Sequence, residues 1–113
     1  MNTKYEEGAI ASVKAVIFLP VRDNDGRDLS GERQAADDDL FLIYLGWTFL
    51  GMVQGAYRMT DGSRAIDDHR AYAVMTDETG LLDIEDVLRG FKSKTTQEAI
   101  YLEVQYNVEM RLI

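Results

Sequence analysis

The chain contains no cysteine. Disulfides, thiolate zinc sites, iron–sulfur clusters and thiol nucleophiles are therefore excluded. Basic side chains are scarce: twelve stand against twenty acidic ones, for a net charge of −8. That balance opposes a phosphate backbone, which demands clustered Lys and Arg, so nucleic acid is a poor candidate partner and none is expected. An acidic surface that imitates nucleic acid would need its carboxylates spaced along one face. Long hydrophobic runs are also missing. The greasiest stretch, Leu40 to Val53, is interrupted by Gly46 and Gly51 and falls short of the ~20 residues a membrane helix needs. Met1 to Gly8 is polar and acidic, without the basic-then-apolar pattern of a secretory leader. The expectation is a cytoplasmic protein with no membrane contact, no metal and no cofactor. At 113 residues with a 46% apolar fraction, the chain is expected to fold as one domain over 1–113, burying about two-thirds of its unfolded surface.

What is present is alternation. Ile100, Leu102, Val104, Tyr106, Val108, Met110 and Leu112 share one parity at the end of the chain, while Tyr101, Glu103, Gln105, Asn107, Glu109 and Arg111 occupy the other. Successive side chains of an extended chain point to opposite faces, which predicts a half-buried strand. At ~3.3 Å per residue the last sixteen residues would span roughly 50 Å, far beyond a typical strand. Ala9, Ala11, Val13, Ala15, Ile17, Leu19 and Val21 predict a similar strand over 9–22.

Between these strands the period changes. Ala36, Leu40 and Ile43 recur at helical spacing, with Ser30 as N-cap and Gly46 as C-cap of a helix over 30–45. The apolar run Leu40 to Leu45 also suits a buried strand. Trp47 to Met59 reads as a strand, in which Gly51 and Gly55 suggest a bulge or a close backbone approach. Asp61-Gly62 is turn chemistry, and Arg70 to Thr76 predicts a short third strand. Ile84, Val87, Leu88 and Phe91 place a second helix over 81–94. The order strand, helix, strand, strand, helix, strand has one simple solution: a ferredoxin-like α+β fold, βαββαβ, with a four-stranded antiparallel sheet and two helices on one face. Right-handed crossovers put strands one and three in the centre and strand four beside strand one. The long first and last strands then overrun the helices near 8–13 and 107–113. Their uncovered apolar flank predicts a homodimer or higher homo-oligomer, since one patch serves both partners.

Candidate chemistry is sparse. His69 follows Asp67-Asp68 and reads either as a carboxylate-oriented general base or as a polar residue where a loop enters strand three. Asp23, Asp25 and Asp28 around Gly26 resemble a calcium loop, but the glycine is fourth instead of sixth, so the segment reads as a turn. Asp37-Asp38-Asp39 reads as a solvated helix face. Gly46, Gly51 and Gly55 lack the helix N-terminus and Lys-Ser/Thr pair of a phosphate loop. The most suggestive group is the wet parity of strand four, Tyr101, Glu103 and Gln105. With Arg58, Tyr72 or His69 from neighbouring strands, these side chains would line a ligand pocket or pair across an interface.

Phe18-Leu19-Pro20, Gly46-Trp47-Thr48, Gly55-Ala56-Tyr57, Asp61-Gly62 and Gln97-Glu98-Ala99-Ile100 together resemble the pattern of an uncharacterised bacterial family of small α+β domains. The resemblance spans about 16–104. It departs at Leu45-Gly46, where a Phe-Pro-like pair is expected, and in the longer outer strands. It implies the fold and no activity. The leading expectation is a non-enzymatic binding or accessory protein, with a protein or small molecule as its ligand, assembling through its long strands. The alternative is a small enzyme of the dimeric α+β barrel kind, with Glu103, Tyr101 or His69 as acid–base groups.

Overall fold

The computed structural model describes residues 8–43 and 47–113. Six elements follow in the expected order: β1 (Gly8–Pro20), α1 (Ser30–Ile43), β2 (Thr48–Arg58), β3 (Arg64–Thr76), α2 (Glu78–Ser93) and β4 (Tyr101–Leu112). The sheet is antiparallel in the order β2-β3-β1-β4. It is the ferredoxin-like α+β architecture, with both central strands as expected.

The core lies between one sheet face and the helices. Val13, Ala15, Ile17 and Leu19 of β1 meet Tyr72 and Val74 of β3, with Leu102 and Val104 of β4 packed at the margin. From above come Leu29, then Ala36 and Leu40 of α1, and Leu81, Ile84, Leu88 and Phe91 of α2. The α2 stripe is therefore a core stripe, as are Ala36 and Leu40 of the α1 stripe; the side chain of Ile43 lies outside the described residues. α2 begins at Asp77, whose carboxylate accepts from the Gly80 N–H at 2.7 Å; such a cap contributes about 1 kcal/mol. At α1 the cap differs from the expectation. Ser30 is the first helical residue, and its N–H and hydroxyl both donate to the Asp28 carboxylate. Asp28 thus serves the helix start, because a carboxylate accepts from more donors than a serine hydroxyl. Gly46, expected as the C-cap, lies outside the described residues.

β3 is longer than expected. It begins at Arg64, not Arg70, and pairs with β2 from Arg58↔Arg64 to Thr48↔Ala73. The hairpin turn is fixed by Gly62 at φ +85°, with the Met59 and Ser63 backbones bonded across it. The Asp61 carboxylate takes the Ser63 N–H at 2.8 Å. A short hairpin loop closed by a left-handed glycine is a common way to join two such strands. Asn24-Asp25-Gly26 repeats the device after β1, with Gly26 at φ +87° and Arg27 N–H donating to Asp25 at 2.9 Å. The segment is a turn, as expected, and among the described residues no cluster of candidate metal ligands occurs.

The sheet is staggered. β1 spans only Val13 to Pro20 against β3, so the hairpin end of β2–β3 projects at one end and the β1–β4 ribbon at the other. The molecule is elongated, 49 Å in its longest dimension and 25 × 23 Å across it. The β1–β4 overhang was expected; the β2–β3 overhang was not. Nor does the alternation of β4 run unbroken. Between Val13↔Tyr106 and Ala11↔Met110, β4 advances four residues while β1 advances two, and Asn107 at φ +58° takes up the excess. Tyr106 is consequently exposed, while Val108 and Met110 stay half-buried. The side chains of β1 before Val13 lie outside the described residues.

Candidate functional site

No helix covers the second face of the sheet among the described residues. Register fixes which side chains occupy it. Lys14, Val16, Phe18 and Pro20 pair with Gln105, Glu103 and Tyr101 on one side and with Met75, Ala73, Ala71 and His69 on the other. Val53↔His69, Gly55↔Asp67 and Tyr57↔Ala65 extend the same face onto β2. The parity that the sequence leaves open for strands two and three is thus resolved. His69 and Tyr57 share a face with Tyr101, Glu103 and Gln105. Tyr72 does not: it pairs with Ile17 and Phe49, lies fully buried beneath the helices, and is a core residue.

At the end where β1 stops, its neighbours β3 and β4 part and leave a cleft of about 620 Å³. One wall is the β2–β3 hairpin, with Tyr57, Arg58, Asp67 and His69. The opposite wall is the coil from Gln97 leading into Tyr101. Aromatic rings line the junction. Phe18 stacks on Tyr101 with centroids 4.3 Å apart, and His69 lies 6.1 Å from Phe18 and 5.6 Å, edge-on, from Tyr57. Gly55 makes this packing possible. A Cβ there would come within 2.3 Å of the Tyr57 hydroxyl oxygen and 2.5–2.6 Å of its ring. The close approach suggested by this glycine is therefore that of a ring, not of a second backbone.

His69 lies within β3, not at a loop entrance, and is 6% exposed although no helix covers it. Its Nδ1 is buried without a hydrogen-bond partner. Burial pushes the imidazole pKa down, against the opposing pull of the Asp67 carboxylate and backbone and of Asp68. Burial thus favours the neutral form of the ring.

Glu103 stands apart from this cleft. Its carboxylate accepts from the Tyr101 hydroxyl at 2.9 Å and from Gln105 Nε2 at 3.1 Å, bonds that hold its pKa down. The same bond raises the Tyr101 phenol, with burial and the Glu103 charge adding to it. Two strand spacings and about four residues of rise separate Glu103 from His69, roughly 16 Å between Cα atoms. That distance is too great for two groups to serve one proton transfer. Arg58 and Tyr101 line the cleft; Glu103, Gln105 and Tyr72 do not.

One expectation about charge changes as well. Asp38 and Asp39 are exposed, but Asp37 is half-buried with an unpartnered Oδ1, and burial raises its pKa against the pull of Arg70 and Arg33. Carboxylates are also dispersed over both helices, the turns and the open face, unlike the single row that an imitation of nucleic acid requires. Sequence reasoning missed Phe18, Tyr57 and Gln97. Two signals were there to find them: an aromatic on the wet parity of strand one, and a glycine two residues before an aromatic on one strand face.

No protein-family model matches the chain, and no curated protein matches it. Solved structures do. A phage SAM lyase in complex with S-methyl-5′-thioadenosine is similar at a TM-score of 0.65 and 12% identity, over 99% of this chain and 96% of that one. CutA from Synechococcus elongatus is similar at a TM-score of 0.57 and 12% identity, over 96% and 89%. At such identity the likeness is one of fold. No helix among the described residues is long and apolar enough to cross a membrane.

Proposed function

We propose that this chain is a small-molecule-binding protein that works as an assembly of its own copies, with the ligand held in the open-face cleft. The observation that carries the reading is the buried, unpartnered Nδ1 of His69 in a cleft walled by aromatic rings. A buried polar atom without a partner costs about 1–3 kcal/mol. A small turn of the ring that brings Nδ1 to a ligand in the cleft recovers that cost. The cleft volume falls within the roughly 300–1,000 Å³ of small-molecule sites, and Tyr57 and Tyr101 offer faces to a planar ring. The similar phage lyase holds a planar base with a thioether arm, which makes S-methyl-5′-thioadenosine the first probe. Assembly is supported by the two projecting ribbons, by Ile66 exposed on the β2–β3 overhang, and by Phe49, Leu50 and Met52 exposed along the edge strand β2.

Calorimetric titration with S-methyl-5′-thioadenosine, adenosine and adenine tests the ligand. Binding is expected, weakened about tenfold or more in Tyr57→Ala, which removes one stacking face. Absence of binding by all three probes removes the nucleoside class.

The same histidine favours a second reading, catalytic rather than binding. An imidazole whose burial favours the neutral form accepts a proton from a substrate within reach. This reading predicts that His69→Gln abolishes turnover while the ligand still binds; the binding reading predicts that affinity itself falls.

A further inference from the structure

We propose that Asp23 is the positioning residue of the open-face cleft: from behind the wall, its carboxylate holds the coil before β4 in place, and through it the packing of Tyr101, Phe18 and His69. The inference deepens the reading of this cleft as the ligand site and rests on it.

Asp23 sits in the turn after β1 with its side chain 1% exposed. Every group around the carboxylate is a donor. The Thr96 N–H reaches its two oxygens at 3.0 and 2.9 Å and the Thr96 hydroxyl donates at 2.7 Å. Gln97 Nε2 donates at 3.1 Å, the Asn24 N–H at 2.9 Å and Arg27 Nη2 at 3.3 Å. Neighbours repeat the tie: Asn24 Nδ2 donates to the Thr96 carbonyl at 2.6 Å, and Arg27 Nη2 to the Lys94 carbonyl at 3.1 Å. From the end of α2 to Tyr101 the chain belongs to no helix or strand, so these bonds decide where the coil runs. Gln97 is at once a tie to Asp23 and a lining residue of the cleft. Four residues on, Tyr101 stacks on Phe18, which lies beside His69. The path from carboxylate to cleft is therefore continuous.

Only a carboxylate satisfies such a set, because it accepts and never donates. Asp23→Asn keeps the shape but turns an NH₂ towards a donor, releasing the coil. His69 is the sole histidine, so its ring protons report the cleft in the full chain without any ligand. The groups facing it are Asp67 and Asp68 from its own strand, Tyr57 from β2, Phe18 from β1 and the Tyr101 wall from β4. In D23N, water entering past the loosened wall is expected to move the His69 titration midpoint up by about half a pH unit or more, towards its ordinary value. Backbone amides from Thr96 to Ile100 are expected to exchange at least about tenfold faster while the centre of the sheet is unchanged. Asp28→Asn, which weakens the start of α1 instead, serves as the control: it lowers stability without moving His69. If D23N does not fold, Gln97→Ala cuts the tie from the other side and is read in the same way. A folded D23N with His69 titration and coil exchange like the unaltered chain overturns the inference. A shifted His69 in a protein that binds none of the nucleoside probes leaves the positioning role standing and refutes the ligand.

Discussion

Gly55 and Tyr57 show how an absent side chain builds a site. The Tyr57 ring occupies the space a Cβ would need. Gly55→Ala is expected to swing the ring out of the cleft, yet to change stability by less than about 1 kcal/mol, since alanine also loses less backbone entropy on folding. Thermal unfolding checks the second half of this expectation. The shift of the His69 ring protons, which feel the Tyr57 ring current, checks the first. Asp23 acts on stability as well. Burial raises its pKa, but the hydrogen bonds from the Thr96 side chain and backbone, Asn24 and Gln97 outweigh burial and carry it well below the carboxylate range. Unfolding therefore takes up a proton below about pH 4. The contribution is complete above that pH and drains away as the solution is acidified. Urea unfolding between pH 5 and 3 is expected to show a steeper loss in the unaltered chain than in Asp23→Asn; parallel slopes would mean that the carboxylate is not held charged. His69 adds a limb of the same sign at higher pH. Its folded pKa is depressed, so its contribution is present above about pH 6.5 and falls as pH drops.

Elements differ in how openly the sequence displays them. Both helices and the centres of β1 and β4 are visible because one face of each is buried, and burial imposes a period on the chain. The start of β3 is hidden for the opposite reason. Arg64, Asp67 and Asp68 face solvent or the open cleft, beyond the reach of the helices, so no apolar alternation marks them. With that half-strand goes the placement of His69, and with it the cleft. The Asp23 clasp is hidden more deeply, because the coil residues it holds, Thr96 and Gln97, lie more than seventy residues away and no local pattern encodes them. The break in β4 leaves a single local trace, an asparagine where the backbone turns left-handed. Asn tolerates φ > 0 and a β-branched residue does not. Asn107→Val is expected to cost about 1–3 kcal/mol, and Asn107→Gly close to nothing. Thermal unfolding of the two variants side by side checks it; equal melting points would show that Asn107 does not hold this conformation in solution.

At the scale of the whole molecule, charge and apolar surface pull in opposite directions. A net charge of −8 makes copies of the chain repel one another, while Phe49, Leu50 and Met52 along the edge strand β2, and Ile66 on the β2–β3 overhang, leave large side chains in water. Each fully buried side chain of this size contributes about 1.5–3 kcal/mol, so burying a few of them in an assembly outweighs screened repulsion at physiological salt. The two signs separate experimentally. An assembly held by apolar contact against like charge tightens as salt rises, because screening weakens only the repulsion; one held by ion pairs loosens. Light scattering is expected to give a multiple of the chain mass that grows more resistant to dilution between low and moderate salt. Met52→Glu with Ile66→Glu is expected to reduce it to the single chain. Cutting after Tyr106 removes the opposite ribbon and is expected to do the same, since each end of a staggered sheet has only the other copy to cover it. If the intact chain has the mass of one copy at every salt concentration, the overhangs are solvent-facing ribbons and the cleft must bind its ligand within a single chain.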